Sequence, residues 1–254
     1  RFCDCILGWD VADKLYDNVQ FTGWHTGFPD AHFRLVADTL RWLPESRAPF
    51  FLGEFVTETG ADHGICPRTR LRAVLDRAAA QGIAVKLGFE YEFFVFDETP
   101  QSVRAKGYRD LQPLTPGNFG YSVLREAAGS ELFNGLFDYA AAIDCPIEGL
   151  HCETGPGVWE AALAVSDALA AADRGNLFKT FSKVYFQKRG RLATFMAKWS
   201  MQYPGQSGHC HLSFWDHAGK SLFFDPSAAA GISAVQRHAL GGLRRYLPEF
   251  IALV

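Results

Sequence analysis

Residues 88–97 read GFEYEFFVFD, two glutamates set in a run of aromatic and β-branched residues. Phe89, Tyr91, Phe93, Phe94, Val95 and Phe96 are residue types that favour a pleated, packed surface, so IAVKLGFEYEFFVFD (83–97) predicts a strand. Alternate side chains of a strand share a face, which points Glu90 and Glu92 the same way. Two carboxylates side by side in apolar surroundings raise each other's pKa and cost stability unless something positive sits between them.

Just before this strand, CPRTRLRAVLDRAAAQG (66–82) predicts a helix that starts at Pro67 and stops at Gly82, with Leu71, Val74, Leu75 and Ala78 on one stripe. Residues 1–62 mix short β-like runs with turn signals and form a small β-rich N-terminal domain; 63–254 form the second domain. The segment 97–120 has no clear period and reads as a long loop. Residues 121–143 and 166–190 read as helices, the second interrupted at RGN (174–176). Between them PIEGLHCETGPGVWEAALAV (146–165) is a strand, a Gly-Pro-Gly turn and a second strand, hence a hairpin. RLATFMAKW (191–199) and SGHCHLSFWD (207–216) give two more strands, and ALGGLRRYLPEFIALV (239–254) looks like the middle of a helical region. The fold class is α+β.

A chain of 254 residues that is 48% hydrophobic can bury a substantial core. Lys plus Arg number 25 against 28 Asp plus Glu, a balance that points to neither nucleic acid nor an acidic membrane as partner. No run approaches ~20 apolar residues, so no transmembrane helix is expected. The opening RFCDCILGWD is neither a signal peptide nor an initiator-methionine start, which suggests a chain that begins inside a longer gene product. Six cysteines (Cys3, Cys5, Cys66, Cys145, Cys152, Cys210) are too sparse for a disulfide scaffold. They read as reduced, buried thiols of a cytoplasmic protein.

Three strand regions carry acid or imidazole: Glu90 with Glu92, Glu153 with Glu160, and His209 with His211. Taken singly, each has a bland explanation as a solvated face or a hydrogen-bonded core histidine. Together they do not. His209 and His211 share a face, and Glu153 and Glu160 lie on opposite arms of the hairpin, where they can converge. If the strands form one sheet, that much acid on one face is tolerable only around bound cations. Carboxylates with imidazole suit Mg²⁺ or Mn²⁺. Zinc is the competitor, but Cys152 and Cys210 alternate out of the face that holds Glu153 and His209.

GFEYEFFVFD, HCETGPGVWE and GQSGHCHLSFWD, in that order, resemble the three metal- and nucleotide-site motifs of the glutamine synthetase family. CPRTRL, GFPD (27–30) and FKTFSKVYFQKRGRLATFMAKW (178–199) also fit, so the resemblance runs over nearly the whole chain. It implies a β-grasp-like N-terminal domain and a catalytic domain with a curved antiparallel sheet flanked by helices. It also implies a double-ring homo-oligomer with active sites between neighbouring subunits. The implied chemistry is ATP-dependent activation of glutamate to γ-glutamyl phosphate, which ammonia or an amine then attacks. Carried over by residue, Glu92, Glu153 and Glu160 match the carboxylates of the metal near glutamate, while Glu90 and His209 match ligands of the metal that holds the ATP phosphates. Glu92, Glu153 and His209 would thereby be catalytic. His211 matches a phosphate contact, Ser213 a residue near adenine, Glu148 a further nucleotide-site carboxylate, and Gly205 the glycine whose backbone approaches the glutamate carboxylate.

Two departures set further expectations. The family's remaining metal glutamate and its substrate arginines follow the GGLRRYLPE-like helix, so this chain is expected to be C-terminally incomplete and not to complete ligation by itself. The Asp-Gly-Ser-Ser loop of ammonia-using members is absent, and FTGWHTG (21–27) stands in its area, which leaves ammonia and an organic amine both open as acceptor. A non-catalytic structural or regulatory member of the family is the alternative reading.

Overall fold

The computed structural model describes residues 1–10, 14–16 and 20–251. The chain divides into two compact units, Arg1–Arg77 and Ala78–Val254. In the first, β1 (Phe2–Cys3), β2 (Asp30–Leu35), β3 (Arg41–Trp42), β4 (Pro49–Phe50) and β5 (Gly53–Val56) precede α1 (Pro67–Ala79). An antiparallel sheet has the order β1-β2-β5, and β3 pairs with β4 alone. The first unit is held by a buried carboxylate. Glu54 on β5 is 1% exposed and accepts hydrogen bonds from Arg34, Arg68 and Arg72, while Arg34 and Arg72 also reach Asp62. The α1 helix ends as its sequence predicts: Gly82 takes φ +76°, its N–H bonds Ala79, and the Ile83 N–H bonds Ala78. Val74, placed on the apolar stripe by periodicity, is exposed.

The second unit is built on β6 (Ala84–Phe96), a strand of 13 residues. After it come α2 (Pro100–Ala105), α3 (Val123–Ala128), α4 (Ser130–Ala142), β7 (Ile147–Cys152), β8 (Val158–Leu163), β9 (Ser166–Asp167), α5 (Ala168–Gln187), β10 (Leu192–Thr194), β11 (Gly208–Trp215) and α6 (Ala234–Phe250). Every strand bonded to β6 is antiparallel to it. Glu90 pairs with His209 of β11 on one edge and Ala162 of β8 on the other; β10 continues the first edge and β9 the second, with β7 beyond β8.

The two faces of β6 explain its composition. Phe89, Tyr91, Phe93 and Val95 face α5, where Tyr91 and Phe93 meet Phe178 at 6.0 and 6.2 Å and Phe93 meets Phe186 at 6.1 Å. Trp159 of β8 joins this layer, stacked on Phe133 of α4 at 3.9 Å. On the other face, Phe94 and Phe96 pack with Val158 under Trp199, whose ring stands edge-on to Phe96 at 5.0 Å. The apolar cover stops there. Glu92 and Glu90 continue the same face beyond it, so one strand is buried on both sides at its end and carries acid on one side before that.

Four local expectations are corrected. The interruption at 174–176 does not occur, because α5 is continuous. A Cβ on Gly175 would lie 2.7 Å from the Tyr91 hydroxyl, so this glycine serves close helix–sheet approach rather than a break. The 97–120 loop contains α2, nucleated by a Thr99–Ser102 capping box. The helix read over 121–143 starts at Val123 and divides at Gly129, and the strand read over 191–199 is confined to Leu192–Thr194. The cysteines are free, but only Cys66, Cys145 and Cys152 are buried; Cys210 is exposed. Among the described residues no helix is long and apolar enough to cross a membrane.

Candidate active site

Strand register brings the acidic and imidazole residues together in two clusters. Glu92 of β6 pairs with Glu160 of β8, and Glu160 pairs with His151 of β7, so three polar side chains form one row across three strands. Glu153 follows β7 and is tied back by its N–H to Val158 at 3.0 Å. Candidate ligand atoms of His151, Glu153 and Glu160 all lie within 4.8 Å of one another. The His151 Nε2 stands 3.9 Å from a carboxylate oxygen of each glutamate. The hairpin that makes this possible depends on Gly157, at φ +69°, where a Cβ would lie 2.4 Å from the Val95 carbonyl.

The second cluster is Glu90, His209 and His211, also within 4.8 Å. Glu90 Oε2 lies 3.1 Å from His209 Nδ1 and 2.9 Å from His211 Nε2. No cysteine belongs to either cluster among the described residues: Cys152 is buried, paired with Trp159, and Cys210 pairs with Phe89 on the opposite face.

The charges are unevenly compensated. The imidazole of His211, with His209 behind it, holds the Glu90 carboxyl below its usual range. Burial works to raise Glu153, but the Tyr121 hydroxyl and the Thr154 N–H outweigh it and hold this carboxyl low. Glu160 goes the other way. Burial pushes it up, and Glu90, Glu92 and Glu153 add repulsion that His151 only partly offsets. One oxygen of the site is left over: Glu153 Oε2 is buried with no hydrogen-bond partner. A buried carboxylate oxygen that accepts no hydrogen bond, next to the His151 imidazole, is a group that a cation could satisfy.

All five residues read from the sequence as metal ligands fall on this face. Ser213 shares the strand side of His209 and His211 and accepts a 2.8 Å hydrogen bond from the Trp215 indole. Glu148 is exposed at a bulge in β7, and it lines one cleft with Glu90, His211 and Ser213. Gly205 is exposed, but its backbone runs close to the Ala197 carbonyl, which a Cβ there would approach to 2.8 Å.

Three residues escape the sequence reading. His151 was legible in principle, since it precedes Glu153 by two and alternation puts both on one side of the hairpin. Ser207 holds both Glu92 oxygens, through its N–H at 3.0 Å and its hydroxyl at 2.7 Å. Tyr121 lies at φ +53°, with its ring edge-on to His151 at 4.8 Å and its hydroxyl pushed up to about 12 by Glu153. Nothing in the local sequence announces Tyr121, because a loop conformation places it.

The family described as glutamine synthetase, catalytic domain, matches residues 64–254. Type-1 glutamine synthetase 2 of Dictyostelium discoideum is 41% identical over 252 residues, covering 98% of this chain and 48% of the relative. Glutamate–isopropylamine ligase of a Pseudomonas species is 31% identical over 254 residues, covering 100% and 55%. The solved apo structure of GmaS without ligand superposes with a TM-score of 0.74 at 27% identity, over 85% of this chain and 49% of that one. The chain thus spans about half the length of the curated relatives it matches. A family match over three-quarters of the residues, with two such relatives along the whole chain, places it: this chain belongs to the glutamine synthetase family.

Proposed function

We propose that the protein is an ATP-dependent ligase that joins the γ-carboxylate of glutamate to ammonia or an organic amine through γ-glutamyl phosphate. The observation that carries this reading is the pair of clusters on one sheet face, one of them with an unpartnered buried carboxylate oxygen. Glu92, Glu153 and Glu160 would hold one divalent cation, Mg²⁺ or Mn²⁺, and Glu90 and His209 a second. When bound, such ions neutralise the ATP phosphates and the developing charge of phosphoryl transfer to a carboxylate.

The chain's own residues supply the rest of the arrangement. The Gly157 turn and the β7–β8 register fix the spacing of Glu153 and Glu160. His211 lies along the strand from His209, suited to a phosphate oxygen, and Ser213 and Glu148 continue the cleft toward a nucleoside. Gly205 backbone is assigned to the glutamate carboxylate. A double-ring homo-oligomer working in the cytoplasm belongs to the same reading.

The acceptor remains a choice of two, and one observation favours an amine. Trp24 is 81% exposed on a loop braced by Thr26, whose hydroxyl donates to the Gly23 carbonyl at 2.9 Å and accepts from the Gly23 N–H at 3.2 Å. Its ring stands edge-on to Phe28 at 5.1 Å. An exposed indole offers a face to an organic ammonium. The test is phosphate release by the full-length protein with ATP, Mg²⁺ or Mn²⁺ and glutamate, comparing ammonium with mono- and polyamines. Turnover that requires glutamate, metal and an acceptor supports the ligase reading. Metal binding without turnover with any acceptor favours the non-catalytic alternative.

A further inference from the structure

Glu92 stands opposite Glu160 on β6, and His209 belongs to the second cluster on β11, yet one side chain touches both. The Ser207 hydroxyl lies 2.7 Å from Glu92 Oε1 and 3.3 Å from His209 Nε2, and His209 Nδ1 lies 3.1 Å from Glu90 Oε2. The Ser207 N–H takes the other Glu92 oxygen at 3.0 Å, and the Glu92 N–H returns to the Ser207 carbonyl at 3.1 Å.

Counting hydrogens gives the arrangement a direction. A carboxylate only accepts, so the single hydroxyl hydrogen of Ser207 goes to Glu92. The Ser207 oxygen then has only lone pairs for His209, and Nε2 must be the nitrogen that carries hydrogen. In the neutral ring this leaves Nδ1 with a lone pair facing a Glu90 oxygen that also has only lone pairs. A ring that also carries hydrogen on Nδ1, or a cation held by both atoms, fills this 3.1 Å contact. Histidines that ligate metals generally donate their other N–H to an oxygen, and here that oxygen is a serine hydroxyl that also clasps a ligand of the other ion.

We propose that Ser207 is a positioning residue that couples the two cation sites, holding Glu92 for one ion and keeping His209 Nδ1 free for the other. This rests on the two-cation reading above and goes beyond it, because it makes the sites interdependent through one hydroxyl. Ser207 is exposed, so a threonine methyl has room while the hydroxyl is kept.

The experiment is Mn²⁺ titration of the full-length protein, with free Mn²⁺ read by electron paramagnetic resonance, for wild type, Ser207→Ala and Ser207→Thr. Thermal unfolding in chelator is recorded alongside. Loss of the hydroxyl is expected to weaken binding at both sites by ~10–100-fold, with Ser207→Thr restoring it and chelator-state unfolding unchanged. Two wild-type ions bound with unchanged affinity in Ser207→Ala would overturn the role of Ser207 and leave the cation sites standing. The same role is lost if alanine and threonine weaken binding equally, or if only one site responds. Absence of Mn²⁺ binding by wild type would overturn the cation reading itself, and the coupling with it.

Discussion

Glu92 and Glu160 face each other directly across β6 and β8, two carboxylates in one cross-strand pair. Like charges so placed oppose strand pairing. Ser207 satisfies both oxygens of Glu92, whereas Glu160 is pushed above the usual carboxylate range by burial and by its acidic neighbours. The pair is therefore asymmetric before any cation arrives, and Glu160 is the member whose ionisation is resisted.

Cation affinity should follow that ionisation. Because the Glu160 carboxyl is raised, it takes up its proton at a higher pH than an ordinary glutamate, and a protonated carboxyl is a poor ligand. Mn²⁺ affinity is expected to fall as pH drops from neutral toward the ordinary value of 4.5, earlier than for an unshifted carboxylate. The linkage for the metal-free protein has the opposite sign. The raised group contributes stability below its unfolded value and loses it as pH rises through its folded one. Isothermal titration across this range checks the first part, and flat affinity would contradict it.

The first unit has its own acid limit. Arg72, Arg34 and Arg68 outweigh the burial of Glu54 and hold its carboxyl at about 2. A depressed carboxyl contributes stability above 4.5 that is lost as pH falls toward 2. Glu54→Gln leaves three guanidiniums around a neutral group and is expected to cost about 3 kcal/mol at neutral pH. Urea unfolding followed in the first unit measures it, and a variant as stable as wild type would show that the cluster is solvated rather than structural.

Tyr121→Phe removes the hydroxyl beside Glu153 and keeps the ring against His151. Mn²⁺ binding should weaken by about tenfold, as for other groups that support a ligand, without loss of fold. Unchanged binding would show that the Thr154 N–H alone positions Glu153.

Trp24→Ala should lower turnover with organic amines more than with ammonium, by the ~0.5–2 kcal/mol of a cation–π contact. Ammonium alone supporting robust turnover would sink the amine assignment. An equal loss with every acceptor would give Trp24 a structural role.

What the sequence revealed depended on how locally each feature is encoded. Period-two spacing put Glu90 with Glu92 and His209 with His211, and β6 and β11 carry them as expected because register preserves alternation. The hairpin around Gly157 was legible for the same reason, since its glycine is needed where it stands. Gly175 misled because a glycine that permits close packing looks, in sequence, like one that breaks a helix. Ser207 and Tyr121 were missed because their roles arise from loops that return to the sheet, Ser207 lying 115 residues from Glu92 in sequence. His151 was passed over although it lies in the first arm of the predicted hairpin, because only the β7–β8 register shows that it stands opposite Glu160.

The most direct test of the central claim is thermal unfolding of wild type and Glu160→Gln, each in chelator and in saturating Mn²⁺. If the acidic face exists to hold cations, removing one of the opposed charges relieves repulsion. The variant should then match or exceed wild type in chelator, by up to about 1 kcal/mol, while losing most of the gain that Mn²⁺ gives wild type. A variant less stable than wild type in chelator, with its Mn²⁺ gain intact, would contradict the account and make Glu160 a structural carboxylate.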